Sequence, residues 1–532
     1  MSAFHQSAGH IQDVMAPVGQ KYLLFQRHLK SSKHCFGMHL YLRSAHKGAK
    51  PFHDIPGPVR LPLWGNLLHY KLGAFDGRKY HKVLEHLHEQ YGPIVRETIG
   101  SRTVVHVFDP DDIKEVYANE GHTPFVAPLM ETAQLYRKQK NISLGLGNVN
   151  GEEWYRLRSS VRHLMLRPQE VHVYFPAVQE IAKDFVSHLE NILLVDGKVE
   201  NLRDEVSKWV QETAGAICFG RRLGCLYGGE MEKVAQKIID ANKEVFQLSA
   251  ILKFSLPIYK YFHTPKWKRI TEAENFIYRT TEKYVEETIN KVKTLLEMEN
   301  RVEEKYQFIM RLLSKDTLSR DDIIIVTFSL FTDGLSTTVP ALLYNLYCLA
   351  TNPEVQDKAY SEIESVLKET DEITVDVLNK LPYIKAIVKE TFRFYPIGTE
   401  VSRIIQKDLI LSGYHVPKGT HVDLTPNVHF LSEKYFKDAR IYLPDRWLRG
   451  NENTNYHPYL LTPFGHGTRT CAGRRFAEQD LYLILFYILQ KFKLEYQSSS
   501  KRLEQVFETL LFPDDSVDVI FKPRSNYACT CV

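Results

Sequence analysis

Cys471 lies in a segment whose residue types and spacing suit a cysteine that binds a metal as a thiolate. The segment spans residues 464–473 and reads Phe-Gly-His-Gly-Thr-Arg-Thr-Cys-Ala-Gly, and a long apolar helix is predicted to begin near Arg474. Gly467 allows positive φ in a tight loop, and Gly473 allows close approach of a backbone or a ring. Amide N–H groups and the dipole at the start of the predicted helix favour negative charge on the sulfur. For an isolated cysteine, a buried structural role is the alternative.

The whole ten-residue pattern resembles the haem-binding loop of the cytochrome P-450 family, Phe-x-x-Gly-x-Arg-x-Cys-x-Gly, and it matches at every fixed position. The resemblance implies a haem b cofactor (iron protoporphyrin IX) with Cys471 as the axial thiolate ligand. Such a ligand favours cleavage of an O–O bond. The resemblance also places Phe464 and Gly473 at the cofactor and pairs Arg469 with a haem propionate.

Glu390 and Arg393 are spaced i, i+3 and therefore share one face of a predicted helix. Such pairs are usually solvated, but the aromatic residues at positions 392, 394 and 395 favour partial burial. In the family, a Glu-x-x-Arg pair is closed by an arginine from a later Pro-x-Arg segment, which corresponds to Arg446 here. The resemblance therefore implies a structural cluster that fixes the geometry behind the cysteine loop.

Trp154 and Arg158 are spaced i, i+4, which is about one turn of a predicted helix. Taken as a bare pair, they fit an amphipathic surface helix. The resemblance implies instead that both side chains reach a haem propionate. It also implies that Arg403, which follows Pro396, supplies another propionate contact.

The segment from Ile323 to Ala350 is predicted to form a long central helix that handles oxygen. The family pattern there is a small residue, Gly, any residue, Asp or Glu, and then Thr. Gly334 and Thr337 match this pattern, but Ser336 stands where the acid belongs. The departure puts the usual relay of protons between an acid and an alcohol in doubt.

Two neighbours of Ser336 offer a substitute for the missing acid. Asp333 precedes Thr337 by four residues and so lies near the same helix face. Pro340 has no N–H, so the carbonyl of Ser336 loses its partner and the helix is expected to kink. We hypothesise that a water held by Thr337 at this kink, with help from Asp333, delivers protons. The alternative is an ordinary kinked core helix.

The composition fits a large folded protein in a reducing compartment. The chain has 532 residues, of which 44% are hydrophobic, enough for one large domain or two smaller ones. Its net charge of +4 does not favour nucleic acid as a partner. The seven cysteines are scattered without a disulfide framework. The C-terminal residues 529–532 match a prenylation box only formally, which we interpret as chance.

Residues 1–50 differ from the rest because they are basic and contain Asp13 as their only acid. No stretch there approaches the roughly 18 apolar residues that cross a bilayer. The segment therefore predicts a mitochondrial transit peptide, with a disordered basic tail as the alternative. A location at the matrix face of the inner membrane follows from this prediction and the resemblance.

The remaining residues, 51–532, are predicted to form a single domain that begins at a stiff Pro/Gly segment. Hydrophobic periodicity predicts mostly helices with a minor antiparallel β-sheet, which agrees with the P-450 fold that the resemblance implies. The predicted elements are a helix at Tyr80–Tyr91, strands at Ile94–Glu97 and Thr103–Val107, helices from Glu152 onward and a β-rich patch at Val401–Val422.

A cluster of basic residues is predicted on the surface behind the cysteine loop. Lys385 and Lys389 precede the Glu390/Arg393 pair, and Arg474 and Arg475 follow the cysteine. Each one alone is more often a solvated surface charge. Together they resemble the mitochondrial branch of the family, which implies a small acidic [2Fe–2S] ferredoxin as electron donor, reduced by an NADPH-dependent flavoprotein. Clustered positive charge would steer an acidic carrier.

Residues 245–261 are rich in apolar side chains interrupted by lysines. The family places a membrane-dipping tip here that admits lipophilic substrates, while simple core packing is an equal alternative. The resemblance assigns the segments 397–401 and 507–512 to the substrate pocket. A steroid or sterol is the expected substrate, including the ecdysteroid type of arthropods.

Three functions remain open at this stage. The main hypothesis is a haem-thiolate monooxygenase that converts R–H, O2, two electrons and two protons to R–OH and water. A haem-thiolate isomerase or dehydratase would need no reductase, and Ser336 mildly favours it. A non-catalytic haem-binding protein is the third possibility.

Overall fold

The computed structural model describes residues 48–61, 64–99, 102–299, 303–370, 373–450, 456–497 and 502–524. Most of the predicted leader, the cysteines at positions 35, 529 and 531, and the C-terminal box lie outside the described residues. Lys50, the last residue of the predicted leader, pairs with Tyr414 through backbone hydrogen bonds.

The described chain is mainly helical, as predicted. Its helices are α1 (Leu67–Lys71), α2 (Tyr80–Tyr91), α3 (Pro110–Ala118), α4 (Glu131–Gln139), α5 (Gly151–Leu166), α6 (Pro168–His172), α7 (Phe175–Ile192), α8 (Leu202–Phe219), α9 (Gly229–Lys253), α10 (Pro265–Glu299), α11 (Gln307–Leu313), α12 (Arg320–Thr351), α13 (Pro353–Leu367), α14 (Val375–Asn379), α15 (Pro382–Phe394) and α16 (Arg474–Lys491). Short 3₁₀ helices lie at Phe52–Asp54, Gly77–Lys79, Pro257–Lys260, Glu304–Tyr306, Pro426–His429, Pro444–Trp447 and Gly467–Arg469.

The strands are short and form small sheets. They are β1 (Ile94–Ile99), β2 (Arg102–Val107), β3 (Val401–Ile404), β4 (Leu409–Leu411), β5 (Tyr414–Val416), β6 (His421–Leu424), β7 (Phe492–Tyr496), β8 (Gln505–Glu508), β9 (Leu510–Pro513) and β10 (Val519–Pro523). The largest sheet has the order β1-β2-β6-β3. It is mixed, because β2 pairs with β6 in parallel, whereas the sequence predicted only antiparallel pairing. The other paired strands are antiparallel.

Helix α12 forms the centre of the main hydrophobic core. It begins with a capping box, in which Ser319 and Asp322 each bond the backbone N–H of the other. In the described part of the chain it is the one helix long and apolar enough to span a bilayer, but 72% of that apolar window is buried inside the fold. Its hydrophobicity is therefore that of a core helix.

Helices α15 and α16 position the loop between them. Helix α16 packs against α7, α15 and α12, and its apolar side chains are buried almost throughout. Helix α15 carries the Glu390/Arg393 pair on its inner face. The cysteine loop is therefore supported from two sides by rigid elements.

Candidate active site

The cysteine loop is a tight turn followed by the start of α16. The N–H of Cys471 donates to the carbonyl of Phe464 at 2.8 Å, which closes the turn. Gly465 has φ 71° and Gly467 has φ 75°, conformations that favour glycine. At Gly467 a Cβ atom would also overlap the carboxylate of Glu120. Two independent constraints therefore require glycine at position 467.

Cys471 keeps accessible surface although protein atoms surround its sulfur, which indicates an open space beside it. By contrast, Cys218, Cys225 and Cys348 are buried. Burial among protein atoms raises the pKa of Cys471, while backbone N–H groups at the start of α16 act on the sulfur and lower it. Among the described cysteines, Cys471 alone combines access with donors that favour a thiolate.

Two arginines lie close to Cys471, Arg158 on helix α5 and Arg469 within the cysteine loop itself. From α5, the Arg158 guanidinium donates to the carbonyl of Thr470 at 2.7 Å, and its buried Nε has no partner among the described residues. Arg469 lies 4.5 Å from the ring centre of Trp154 and donates to the carbonyls of Pro124 and Val149. Both arginines are thus held close to Cys471.

Arg403 contributes a third cation from strand β3. It is paired with Glu120, a residue that sequence reasoning missed because no motif marks it. Burial and the positive charges of Arg403 and Arg158 lower the pKa of Arg469 to about 9. Glu120 pairs with Arg403 and acts electrostatically on Arg469, so this acid and the three arginines together carry a net positive charge.

These residues fit an anionic ring compound bound through iron. The buried Arg158 and Arg403 and the half-buried Arg469 would receive the two propionates of a haem, and the Nε of Arg158 has no partner among the described residues. Gly473 leaves the sulfur open, since an added Cβ would lie 3.9 Å from it. The donor set therefore suits haem, with Cys471 as the ligand and the arginines as its anchors.

Helix α12 presents Asp333 and Thr337 toward the same space. Asp333 and Thr337 both keep accessible surface. The charge of Asp333 raises the pKa of Cys471, so Asp333 and Cys471 lie within electrostatic range of each other. Burial raises the pKa of Asp333 itself to about 7. The Thr337 hydroxyl donates to the carbonyl of Asp333 at 2.9 Å. The two residues thus lie one turn apart on α12.

Ser336 points away from Asp333 and Thr337. It is buried, and its hydroxyl donates to the side-chain carbonyl of Asn242 on α9 at 2.8 Å. Asn242 was missed because it lies in an ordinary amphipathic helix. The helix is continuous through Pro340, which leaves the Ser336 carbonyl without an i+4 N–H donor. At position 336, where the family pattern has an acid, this chain forms a hydrogen bond that joins α12 to α9.

Glu390, Arg393 and Arg446 form one buried cluster. The Glu390 carboxylate accepts from Arg393 at 2.7 and 2.9 Å and from Arg446 at 3.1 Å. It also accepts from the indole N–H of Trp447 at 2.9 Å. The arginines donate their remaining N–H groups to carbonyls of the segment 430–441. The cluster ties α15 to the chain before the cysteine loop.

The lysines of α15 are half-buried and partnered. Lys385 donates to the side-chain carbonyl of Asn379 at 3.1 Å. Lys389 donates to Tyr456 at 3.1 Å and lies 4.1 Å from the ring centre of Trp447. Burial lowers the pKa of Lys385. Both lysines are therefore held in fixed positions rather than freely solvated.

Arg474 and Arg475 share one acidic partner at the start of α16. They pair with Glu478 at 2.8 and 3.1 Å and remain about two-fifths exposed, at 42% and 41%. Glu478 also acts electrostatically on Lys385, so the two helices present one basic surface. With Lys389, the four cations outnumber this acid.

Comparison with known proteins agrees with this geometry. The sequence model of the family Cytochrome P450 matches residues 55–521. The chain is 41% identical over 480 residues to "Probable cytochrome P450 CYP44" of Caenorhabditis elegans, covering 89% of this chain and 94% of that protein. It is 31% identical over 505 residues to "Probable cytochrome P450 301a1, mitochondrial" of Drosophila melanogaster, covering 92% and 90%. It is 28% identical over 473 residues to "1,25-dihydroxyvitamin D(3) 24-hydroxylase, mitochondrial" of Mus musculus, covering 88% and 89%.

The fold and the site define a haem-thiolate enzyme of the monooxygenase class, with a single fold built mainly of helices. The chain belongs to the cytochrome P450 family. Its cofactor is haem b with an axial cysteine thiolate, and its reaction class uses O2 and a lipophilic substrate.

Proposed function

We propose that this protein is a mitochondrial monooxygenase that hydroxylates a steroid or sterol with electrons from a ferredoxin. Relatives of similar length carry the word mitochondrial in their names, and one of them is a hydroxylase of a vitamin D derivative. The basic leader, residues 1–50, supports import, and residues 51–532 are proposed to form the enzyme. The matrix face of the inner membrane is the proposed location.

The observation that carries this proposal is the set of charged residues around the sulfur of Cys471. Cys471 has three arginines beside it, and Asp333 lies within electrostatic range on α12. We propose Cys471 as the axial ligand and Arg158, Arg403 and Arg469 as the propionate anchors. When bound, the haem supplies the oxygen chemistry of the reaction.

Three further residues and one buried ionic cluster are proposed to hold the cofactor in place. Trp154 packs below Arg469 and orients its guanidinium. Phe464 contacts Phe392 edge to face, with ring centres 5.5 Å apart, and so fixes the start of the loop. Gly473 keeps the approach to the sulfur open. The cluster of Glu390, Arg393 and Arg446 supports the loop from behind.

Thr337 and Asp333 are proposed to deliver protons. With a pKa of about 7, Asp333 can both hold and release a proton at neutral pH. Thr337 lies one helical turn away and can orient a water next to it. Ser336 instead fixes α12 to α9 through Asn242, which keeps this part of the helix in position.

The basic surface of Lys385, Lys389, Arg474 and Arg475 is proposed to bind the [2Fe–2S] ferredoxin. These residues lie on α15 and α16, on the elements that support the cysteine loop, so a bound carrier would be close to the ligand. The fixed positions of the two lysines favour specific docking over loose attraction.

Peripheral membrane contact is proposed at the apolar tip after α9. Ile258, Tyr261 and Phe262 are exposed, while Phe254 and Tyr259 face inward and are buried. Core packing and an apolar surface tip therefore both describe this segment, since its inner side packs in the core and its outer side is apolar surface. An exposed apolar tip suits entry of a substrate from a bilayer.

The test is turnover with purified components. The expressed protein is incubated with NADPH, ferredoxin, ferredoxin reductase and a panel of steroids, and products are identified by mass spectrometry. Hydroxylated product that requires the reductase supports the proposal. Rearrangement of a peroxide without reductant would support the isomerase or dehydratase, which Ser336 favours. Haem binding without any turnover would support the non-catalytic alternative.

A further inference from the structure

Glu120 is an acid next to the cysteine loop that has no part in the proposed oxygen or proton chemistry. It lies in the turn after α3, and its side chain is 7% exposed. One carboxylate oxygen accepts from the Nε of Arg403 at 2.5 Å. The other lies against Gly467, where an added Cβ atom would overlap it. The carboxylate therefore connects strand β3 to the cysteine loop.

The partners of Arg403 leave part of its guanidinium available to a ligand. Besides the bond from Nε to Glu120, Nη1 donates to the carbonyl of Ser402 at 2.9 Å and Nη2 to the carbonyl of His466 at 3.4 Å. Among the described residues these bonds use three of the five N–H groups of the arginine, one on each nitrogen. Each Nη keeps one N–H, and the bond to Glu120 fixes the direction in which these two groups point. Glu120 thus orients the arginine that is proposed to bind a propionate.

The surroundings of Glu120 favour its ionised form. Burial raises the pKa of Glu120, while the positive charge of Arg403 and the hydrogen bond from it oppose this rise. His466 and Arg469 act in the same direction as Arg403. Three basic groups around the carboxylate therefore favour one negative charge at this point.

This charge lies close to the ligand residue, because Gly467 belongs to a tight turn. The N–H of Thr470 donates to the carbonyl of Gly467 at 3.2 Å, and its hydroxyl donates to the same carbonyl at 2.9 Å. Such a turn brings the Cα atoms of residues 467 and 470 within about 7 Å, and the next Cα atom is about 3.8 Å further. The Glu120 carboxylate, in contact with position 467, is therefore roughly 12 Å from Cys471.

Reduction of a haem adds one electron, so a fixed negative charge beside it opposes reduction. At an effective dielectric constant near 20, a unit charge about 12 Å away changes such an equilibrium by about tenfold. We propose that Glu120 is a positioning residue that orients Arg403 toward a haem propionate and lowers the reduction potential of the haem. This inference rests on the proposed binding of haem through Cys471.

The experiment compares the midpoint potential of the substrate-free holoenzyme with that of two variants by spectroelectrochemical titration. Glu120→Gln keeps the shape and an acceptor oxygen for Arg403 but removes the charge. We expect its potential to rise by about 59 mV, which is a tenfold change for a one-electron couple. Glu120→Asp keeps the charge but shortens the side chain. Its ferric-to-ferrous equilibrium should change by less than about twofold, while haem release to apomyoglobin should become about tenfold faster.

Glu115→Gln is the matched control, since Glu115 is exposed on α3 five residues earlier, and its potential should equal that of the wild type. An unchanged potential in Glu120→Gln overturns the inference, as does an equal rise in Glu115→Gln or unchanged haem release from Glu120→Asp. If neither Glu120 variant folds, the residue has a purely structural role and the inference fails as well. A wild-type protein that binds no haem would instead overturn the proposed function itself.

Discussion

At the scale of single residues, the proposed delivery of protons depends on two side chains that are one turn apart on α12. Asp333 has a raised pKa and Thr337 has a hydroxyl that bonds back to the carbonyl of Asp333. The family pattern would place an acid at position 336, but Ser336 is directed at Asn242 instead. The proton path is therefore proposed to run through residues 333 and 337.

Replacing Thr337 tests the oriented water directly. Thr337→Ala is expected to raise the peroxide released per NADPH by about tenfold and to lower hydroxylated product correspondingly. Peroxide and product are measured in the reconstituted system. Thr351→Ala is the matched control, because its hydroxyl also bonds the carbonyl four residues earlier but lies at the end of the same helix. Unchanged coupling in Thr337→Ala would contradict the role of this hydroxyl.

Asp333 gives the reaction a specific pH dependence. Because its pKa is about 7, the protonated fraction falls as pH rises through 7, and product formed per NADPH should fall with it. In Asp333→Asn this decline should be absent and product per NADPH should be low throughout. The ratio is measured from pH 6 to about 8.5, with Asp321→Asn, at the exposed start of the helix, as control.

The raised pKa of Asp333 also affects folding. Its ordinary value is near 3.9, so the folded protein binds more protons than the unfolded chain between about pH 4 and pH 7. The free energy of unfolding therefore falls as pH rises across this interval. Asp333→Asn removes this effect, so its melting temperature should exceed that of the wild type more at pH 7.5 than at pH 4.5. A constant difference would show that Asp333 does not titrate in this interval.

Prediction from sequence succeeded best where residues that act together are close in the chain. The loop around Cys471 and the pair Asp333/Thr337 are each contained in one short segment, so spacing alone reveals them. Glu120 lies in the turn after α3 and Asn242 lies on α9, both without a motif, and only tertiary packing brings them to Arg403 and Ser336. No local pattern could have identified these two residues.

At the scale of elements, the cysteine loop depends on a buried ionic cluster that joins α15 to the 3₁₀ helix at Pro444–Trp447. Its charges are fully removed from water, with the side chains of Glu390 and Arg393 at 0% exposure. Among the described residues, the hydrogen bonds of Arg393 and Arg446 go to Glu390 or to backbone carbonyls. Removing one partner would leave a charge without compensation in the core.

Glu390→Gln is therefore expected to destabilise the protein by about 3–5 kcal/mol. Less haem-loaded protein should be recovered, and the carbon monoxide difference spectrum should show loss of thiolate ligation. The measurements are unfolding curves and that spectrum. The control is Glu369→Gln, since the Glu369–Lys380 pair is mostly exposed, and a change below about 1 kcal/mol is expected there. A stable, fully loaded Glu390→Gln protein would contradict the structural role.

The helices and strands themselves were predictable to a large extent. The helix at Tyr80–Tyr91 has the predicted bounds, and α12 extends the predicted span by a few residues at its N-terminus. Strand pairing was less predictable, because the parallel contact of β2 with β6 joins segments more than 300 residues apart. Such register is set by the packing of the whole chain rather than by local periodicity.

At the scale of the whole molecule, the net charge of +4 conceals an uneven distribution. Lys385, Lys389, Arg474 and Arg475 lie together on the surface behind the cysteine loop, with Glu478 among them. A local basic surface attracts an acidic carrier even when the total charge is small. Composition alone could not reveal this arrangement.

Reversing two of these charges tests the docking surface. Lys385→Glu combined with Lys389→Glu is expected to raise the KM for ferredoxin by about tenfold at low salt and to weaken its salt dependence. The haem spectrum should remain unchanged. The matched control is Lys283→Glu with Lys291→Glu on α10, which should not alter that KM. An unchanged KM in the first variant would place the donor on another surface.

The overlap between position 467 and Glu120 has a consequence for how this sequence can evolve. Alanine at 467 would have to adopt φ near 75° and would also collide with the Glu120 carboxylate. The backbone alone costs about 1–2 kcal/mol, and the collision adds to it. A side chain at 467 therefore requires the Glu120 carboxylate to move or residue 120 to be shorter, and either change disturbs the pair with Arg403. Substitutions at 467 should therefore be accompanied by changes at 120 among descendants of this gene.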